Sequence, residues 1–161
     1  IEKVRKALKD KMTSAFEKSF VGKTIEKGQV AKYILKKIDS CQQTAEIQDY
    51  YVLTLEHILP QNPDKKWRNF YKKNGVKEKD LEQYMDDLTN RLGNLTLLLE
   101  KMNEKAKNQF FTKKRDEFYK KSKLAINKGL QASSIWASGS IKTREELFFD
   151  KAKDIWKIDF S

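Results

Sequence analysis

His57 is the only histidine in the 161-residue chain, and it sits in the stretch TLEHILPQNP between an acid, Glu56, and an apolar Ile-Leu-Pro. An imidazole is the one side chain whose unperturbed pKa makes it both base and acid near neutrality, so a single histidine suits proton abstraction at physiological pH. The competing reading is a surface or satisfied core histidine, and the residues around it must decide. Three of the asparagines that follow it are candidates to join it. Asn94 stands directly after Gly93, where the pair can turn the backbone while the amide bonds across to the histidine loop. Asn103 comes nine residues later and Asn108 five beyond that, about 140° around a regular helix from Asn103. A basic run, Lys113, Lys114 and Arg115, comes next; it lines a phosphate track or forms a solvated helix face.

The elements that must position these groups are mostly helical. Val4, Leu8, Met12, Ala15 and Phe16 recur every three or four residues and predict a helix over residues 1–20; Val30, Ile34, Leu35 and Ile38 predict a second. YYVLTLEHI is rich in aromatic and β-branched residues and stops at Pro60, so it reads as a strand from Tyr51 to Ile58. Residues 64–90 read as two helices broken at Asn74-Gly75, and NLTLLL after Gly93 as a second short strand. A helix begins at Glu100, and Phe110, Phe111, Lys114 and Phe118 suggest another. A loop from Gly129 to Gly139 precedes a last helix starting near Thr143, an N-cap with Glu146 three residues on. Trp67, Trp136 and Trp156, and Phe110, Phe111 and Phe118, are expected in the core, as is Cys41.

Composition bounds the function. Lys and Arg number 34 against 23 Asp and Glu, a net charge of +11. Such an excess is the footprint of polyanion binding, unless it is compositional bias. No apolar run approaches a membrane span, and no signal-peptide pattern is present. The single cysteine leaves no internal disulfide and no CxxC zinc knuckle, so a reducing, cytoplasmic setting without structural zinc is expected. Opening on Ile1, the sequence reads as a fragment of a longer protein. No GxxxxGK[ST] loop occurs, so any nucleotide-driven step belongs elsewhere.

Strand, excursion, strand, helix, with a histidine closing the first strand, is the layout of a ββα-metal nuclease. EHILPQ, RLGNLTLLLEKMN, Asn108, Phe110, YKKS at 119–122, and then Trp136, Ile141, Arg144, Leu147 and Trp156 resemble the HNH (His-Me finger) endonuclease domain at the C-terminus of GmrSD-type restriction proteins. The resemblance covers roughly residues 45–158. It implies a mainly α fold with a small β-hairpin, a ββα-metal core surrounded by helices. Residues 1–45 would be a helical segment packing on or linking to a nuclease domain at 46–161. It implies a metal-dependent DNA endonuclease or nickase within a larger antiphage protein, partnered by an N-terminal nucleotide-hydrolysing domain and using Mg²⁺ or Mn²⁺. By carry-over His57 is the general base and Asn94 an orienting residue. Asn103 resembles a metal-ligating asparagine of the HNH domains of CRISPR effector nucleases. Glu56 stands where that family often has a metal-binding Asp, and Asn108 either joins the metal site or caps its helix. Two alternatives remain: a DNA-binding module with a degenerate site, and an RNA-directed nuclease.

Overall fold

The computed structural model describes residues 2–42 and 52–157. Two helices lead, α1 (Glu2–Phe20) and α2 (Gly28–Gln42), followed by strand β1 (Leu53–His57). Next come α3 (Lys65–Lys73) and α4 (Leu81–Thr89), strand β2 (Leu95–Leu99), and α5 (Glu100–Ala106). Three helices close the chain: α6 (Phe111–Glu117), α7 (Ala125–Ala132) and α8 (Ser138–Ile155). The expected boundary at residues 45 and 46, and Tyr51 of the expected first strand, lie outside the described residues.

β1 and β2 pair antiparallel, with Leu53 opposite Leu99 and His57 opposite Leu95. Period-two geometry puts Leu53, Leu55, Leu95 and Leu97 on one face, Thr54, Glu56, Thr96 and Leu98 on the other. Both faces are covered. The leucine face packs with Ala31, Leu35 and Ile38 of α2, Leu92, Leu124, Ile126 and Phe148. Leu98 belongs to a second core built on Trp67, Tyr71, Met85, Phe111, Tyr119 and Trp136. A hydrocarbon side chain buried this completely contributes about 1.5–3 kcal/mol, so the two-stranded sheet is held by what sandwiches it, not by its own ladder.

Local signals account for several boundaries. Asp64 caps α3 by accepting from the backbone N–H of Lys66 (2.9 Å) and Trp67 (3.2 Å). Gly75, with φ of 93°, turns the chain between α3 and α4. Other expectations need correction. The apolar ladder of α1 faces outward: Val4, Leu8 and Met12 are exposed, and the helix packs through its C-terminal end, Phe16 and Phe20 against Phe149 at 5.3 and 5.8 Å. Residues 125–132 form α7 where half of that stretch was read as loop, because Gly129 lies inside a helix turn with open space around it. α8 starts at Ser138, so Thr143 is within the helix and caps nothing. Cys41 is exposed, near the end of α2, and not a core residue. Trp67 and Trp136 are buried, whereas Trp156 is half-buried against Tyr33.

Gly93 fixes how α8 meets β2. A Cβ there would lie 2.1 Å from the carbonyl oxygen of Ile141 and 2.8 Å from Cγ of Glu145, so only glycine permits this approach. Glu145 completes the junction through an ion pair with Arg91 and by accepting from the Gly22 N–H at 2.9 Å. Arg144, fully enclosed, donates to the carbonyls of Gly93 (2.9 Å), Leu95 (2.7 Å) and Ile126 (3.1 Å) and to Thr96 Oγ1 (3.2 Å). Burial pushes its pKa down to about 9, which leaves it charged at neutral pH.

Candidate active site

Pro60, lacking an N–H, ends the pairing three residues past His57. Asn94 then fixes the turn. Its Oδ1 accepts from the Leu59 N–H (2.8 Å) and from Trp136 Nε1 (2.9 Å). Its Nδ2 donates to the carbonyls of Leu59 and Thr89, both at 2.9 Å. Two acceptor and two donor positions exhaust an amide's capacity, and Leu59 supplies both an N–H and a C=O, so the orientation of the amide is unambiguous. The Asn94 carbonyl also accepts from the Ile58 N–H at 2.9 Å. Asn94 is fully buried, touches the histidine turn and does not line the cleft.

His57 Nε2 lies 3.1 Å from Asn90 Oδ1. With Oδ1 as the acceptor, this bond goes with a proton on Nε2 and a lone pair on Nδ1. Burial lowers the pKa of His57; the Asn90 bond opposes this weakly, and the Lys114 charge adds to the lowering. The ring is therefore neutral at pH 7. Asn90 is held in turn by the N-terminal segment, its carbonyl accepting from the Ile25 N–H at 2.8 Å. Sequence reasoning passed over Asn90, which reads as an ordinary turn residue at the end of α4.

A polar cleft of about 310 Å³ opens at His57, lined also by Leu55, Glu56, Gln61, Asn62, Asn103, Lys107 and Asn108. Asn103, one turn into α5, donates from Nδ2 to Thr54 Oγ1 (2.9 Å) and to the Leu55 carbonyl (2.8 Å). A carbonyl cannot donate, so Nδ2 faces the strand and Oδ1 is left for other partners. Asn108 is exposed on the rim, and α5 is closed instead by the Lys107 N–H donating to the Asn103 carbonyl at 3.1 Å. A larger cavity of about 630 Å³ opens between α7 and α8. It includes none of the residues singled out for chemistry, and the guanidinium of Arg144 in its lining is spent on three backbone oxygens and the Thr96 hydroxyl.

Two expected site residues are paired with each other instead. Glu56, expected at the metal, has Oε1 of its carboxylate engaged elsewhere. It lies on the opposite sheet face from His57, and its Oε1 accepts from Lys114 Nζ at 2.7 Å and from the Tyr119 hydroxyl at 3.1 Å. Lys114 does not line a phosphate track. It is completely buried, and its Nζ donates in addition to the carbonyls of His57 (2.8 Å) and Ile58 (3.2 Å). Burial raises the Glu56 pKa and lowers that of Lys114, while their mutual attraction opposes both shifts. The neighbours of Lys114 also do not form one basic row with it. Lys113 is exposed beside Glu117, and Arg115 is held in a fork by Asp116 while donating to the Ser133 carbonyl. Among the described residues no group of three or more His, Cys, Asp or Glu side chains converges as a metal site.

β1 and β2 pair antiparallel, α5 follows β2 directly, and His57 stands at the end of β1 beside the polar cleft. The chain matches the family described as GmrSD restriction endonucleases, C-terminal domain, over residues 10–151, and it belongs to that family. No curated protein matches it. The matched span covers both strands, the cleft and most of α8, and the family's endonuclease character is what the site must be read against. No helix among the described residues is long and apolar enough to cross a membrane.

Proposed function

We propose that the chain is a metal-dependent nuclease domain of the HNH, ββα-metal type that hydrolyses DNA phosphodiester bonds. Residues 46–161 would form the nuclease and residues 1–45 a helical segment packing on it, within a larger restriction protein. The observation that carries the reading is the sole imidazole, held by Asn90 at a polar cleft beside Asn103. His57 Nδ1 takes a proton from water, the oxygen attacks phosphorus, and the bond to the leaving oxygen breaks with its electron pair. Asn90 holds the tautomer, and Asn94 holds the turn.

Mg²⁺ keeps several waters and needs only one or two protein oxygens besides those of phosphate. Asn103 Oδ1 fits such a hard cation, with Asn108 on the same rim. A bound cation would neutralise charge on the phosphate and on the leaving oxygen. A second reading, a DNA-binding module without catalysis, is favoured by the commitment of the Glu56 carboxylate to Lys114. One assay separates them: supercoiled plasmid with Mg²⁺ or Mn²⁺, with EDTA, and a structured RNA alongside. Nicked or linear DNA that depends on the cation supports the nuclease. Retained DNA affinity without cleavage in either metal supports the binding module, and cleavage of the RNA alone redirects the substrate.

A further inference from the structure

α5 ends at Lys107, whose φ of 35° and ψ of −123° make it the only non-glycine residue with positive φ among the described residues. That region favours glycine, because a Cβ crowds the backbone there. The turn is pinned on both sides, by the Lys107 N–H on the Asn103 carbonyl (3.1 Å) and the Gln109 N–H on the Ala106 carbonyl (2.9 Å). Glycine would serve this turn with less strain, yet the position carries a long cationic side chain. Strain of this kind persists where the side chain is needed for something other than the fold.

Its location indicates what that is. Lys107 is exposed and, among the described residues, is the only cation lining the cleft that holds His57, Asn103 and Asn108. No carboxylate pairs with it among the described residues, so its charge is not spent within the cleft. The acid of the cleft, Glu56, is already neutralised by Lys114. A cation fixed at the rim, with no internal anion to satisfy it, suits an anion brought by the substrate.

We propose that Lys107 holds a non-bridging oxygen of the phosphodiester that His57 attacks through water, and so places phosphorus between His57 and Asn103. The inference rests on the nuclease reading and specifies its phosphate contact. Lys107 acts by charge alone, and no bond to it forms or breaks.

Lys107→Gly tests this, because strain and charge push in opposite directions. The variant should melt higher by about 2–4 °C, as relief of an unfavourable φ outweighs added chain freedom. Its kcat on plasmid should fall at least about tenfold. Binding to a short duplex in EDTA, where no turnover occurs, should lose about 0.9 from the slope of log K against log salt, the share of one phosphate. Lys107→Arg should restore that slope and most of the lost kcat. A lower melting temperature in Lys107→Gly would overturn the strain argument. An unchanged slope would overturn the phosphate contact, and a reduced slope with undiminished kcat would move the contact away from the scissile phosphate. Should the unaltered chain cleave nothing, the nuclease reading fails, and the slope in EDTA still decides whether Lys107 meets a phosphate.

Discussion

Lys114→Met keeps roughly the length of the side chain and deletes only its charge and donors. In the protein Nζ satisfies Glu56 Oε1 and the carbonyls of His57 and Ile58, and the residue is completely buried. Methionine would leave the Glu56 carboxylate with the Tyr119 hydroxyl alone, and both carbonyls of the histidine turn would lose this donor. Removing one partner of a buried pair costs about 3–5 kcal/mol, a range that already includes the stranded charge. For a chain of this size that corresponds to a melting-temperature loss of roughly 6–20 °C. Adding Glu56→Gln should return part of it, since the uncompensated charge disappears, giving a coupling of about 1 kcal/mol or more. The pH dependence has a definite sign. Burial already raises the Glu56 pKa, and in Lys114→Met the ammonium that held it down is gone. A carboxyl with a folded pKa above its unfolded value stabilises the fold below the unfolded pKa, and that contribution is lost as pH rises through the folded pKa. The deficit of the variant relative to the parent chain should therefore shrink from pH 8 to pH 5. Thermal melts of the parent, the two single variants and the double variant across that range are the measurement. A loss under 2 °C, about the cost of an exposed lysine, or a deficit independent of pH would refute the buried pair.

His57→Ala should reduce cleavage by about 10²-fold or more with DNA affinity nearly intact. The acid limb of the parent's pH–rate profile should fall below the ordinary imidazole value near 6.5, since burial lowers the His57 pKa and the neutral form acts as base; a limb at or above that value would contradict the assignment. Asn103→Ala should raise the Mg²⁺ concentration needed for half-maximal cleavage, read by titrating metal against a folded variant, and unchanged dependence would shift the ligand to Asn108. Gly93→Ala should prevent folding, as its Cβ would meet the Ile141 carbonyl at 2.1 Å, whereas Gly129→Ala in α7 has open space and should stabilise by about 0.5–1 kcal/mol; circular dichroism and melts of the pair separate the two.

How much of this was legible in the sequence differs from residue to residue. The first strand could be read because an aromatic and β-branched run stops at Pro60, and the second because a short apolar run, NLTLLL, follows directly on Gly93. The turn role of Asn94 could be read from its place after Gly93, although its bond to Trp136 joins residues 42 apart in sequence and no local pattern encodes it. Lys114 was misread because it stands in a basic run. Its phase carried the correct signal: Phe111, Lys114 and Phe118 recur at i, i+3 and i+7 on one helix face, and both phenylalanines are buried. α1 failed the other way, with a sound helical period but nothing among the described residues covering its N-terminal half. α7 was half missed because a glycine within a helix resembles punctuation, and only tertiary burial of Ile126 and Leu130 argues otherwise.

The solitary imidazole and its bond to Asn90 make the site its own spectroscopic reporter. Histidine labelled with ¹⁵N would give a spectrum with one ring and no assignment problem. The two nitrogen shifts would show directly whether Nε2 bears the proton, and their movement with pH would trace the titration of His57 alone. Cation, duplex or RNA added to the same sample would move those signals only through events felt at the strand end, so occupancy of the cleft could be followed apart from binding elsewhere on a strongly basic surface.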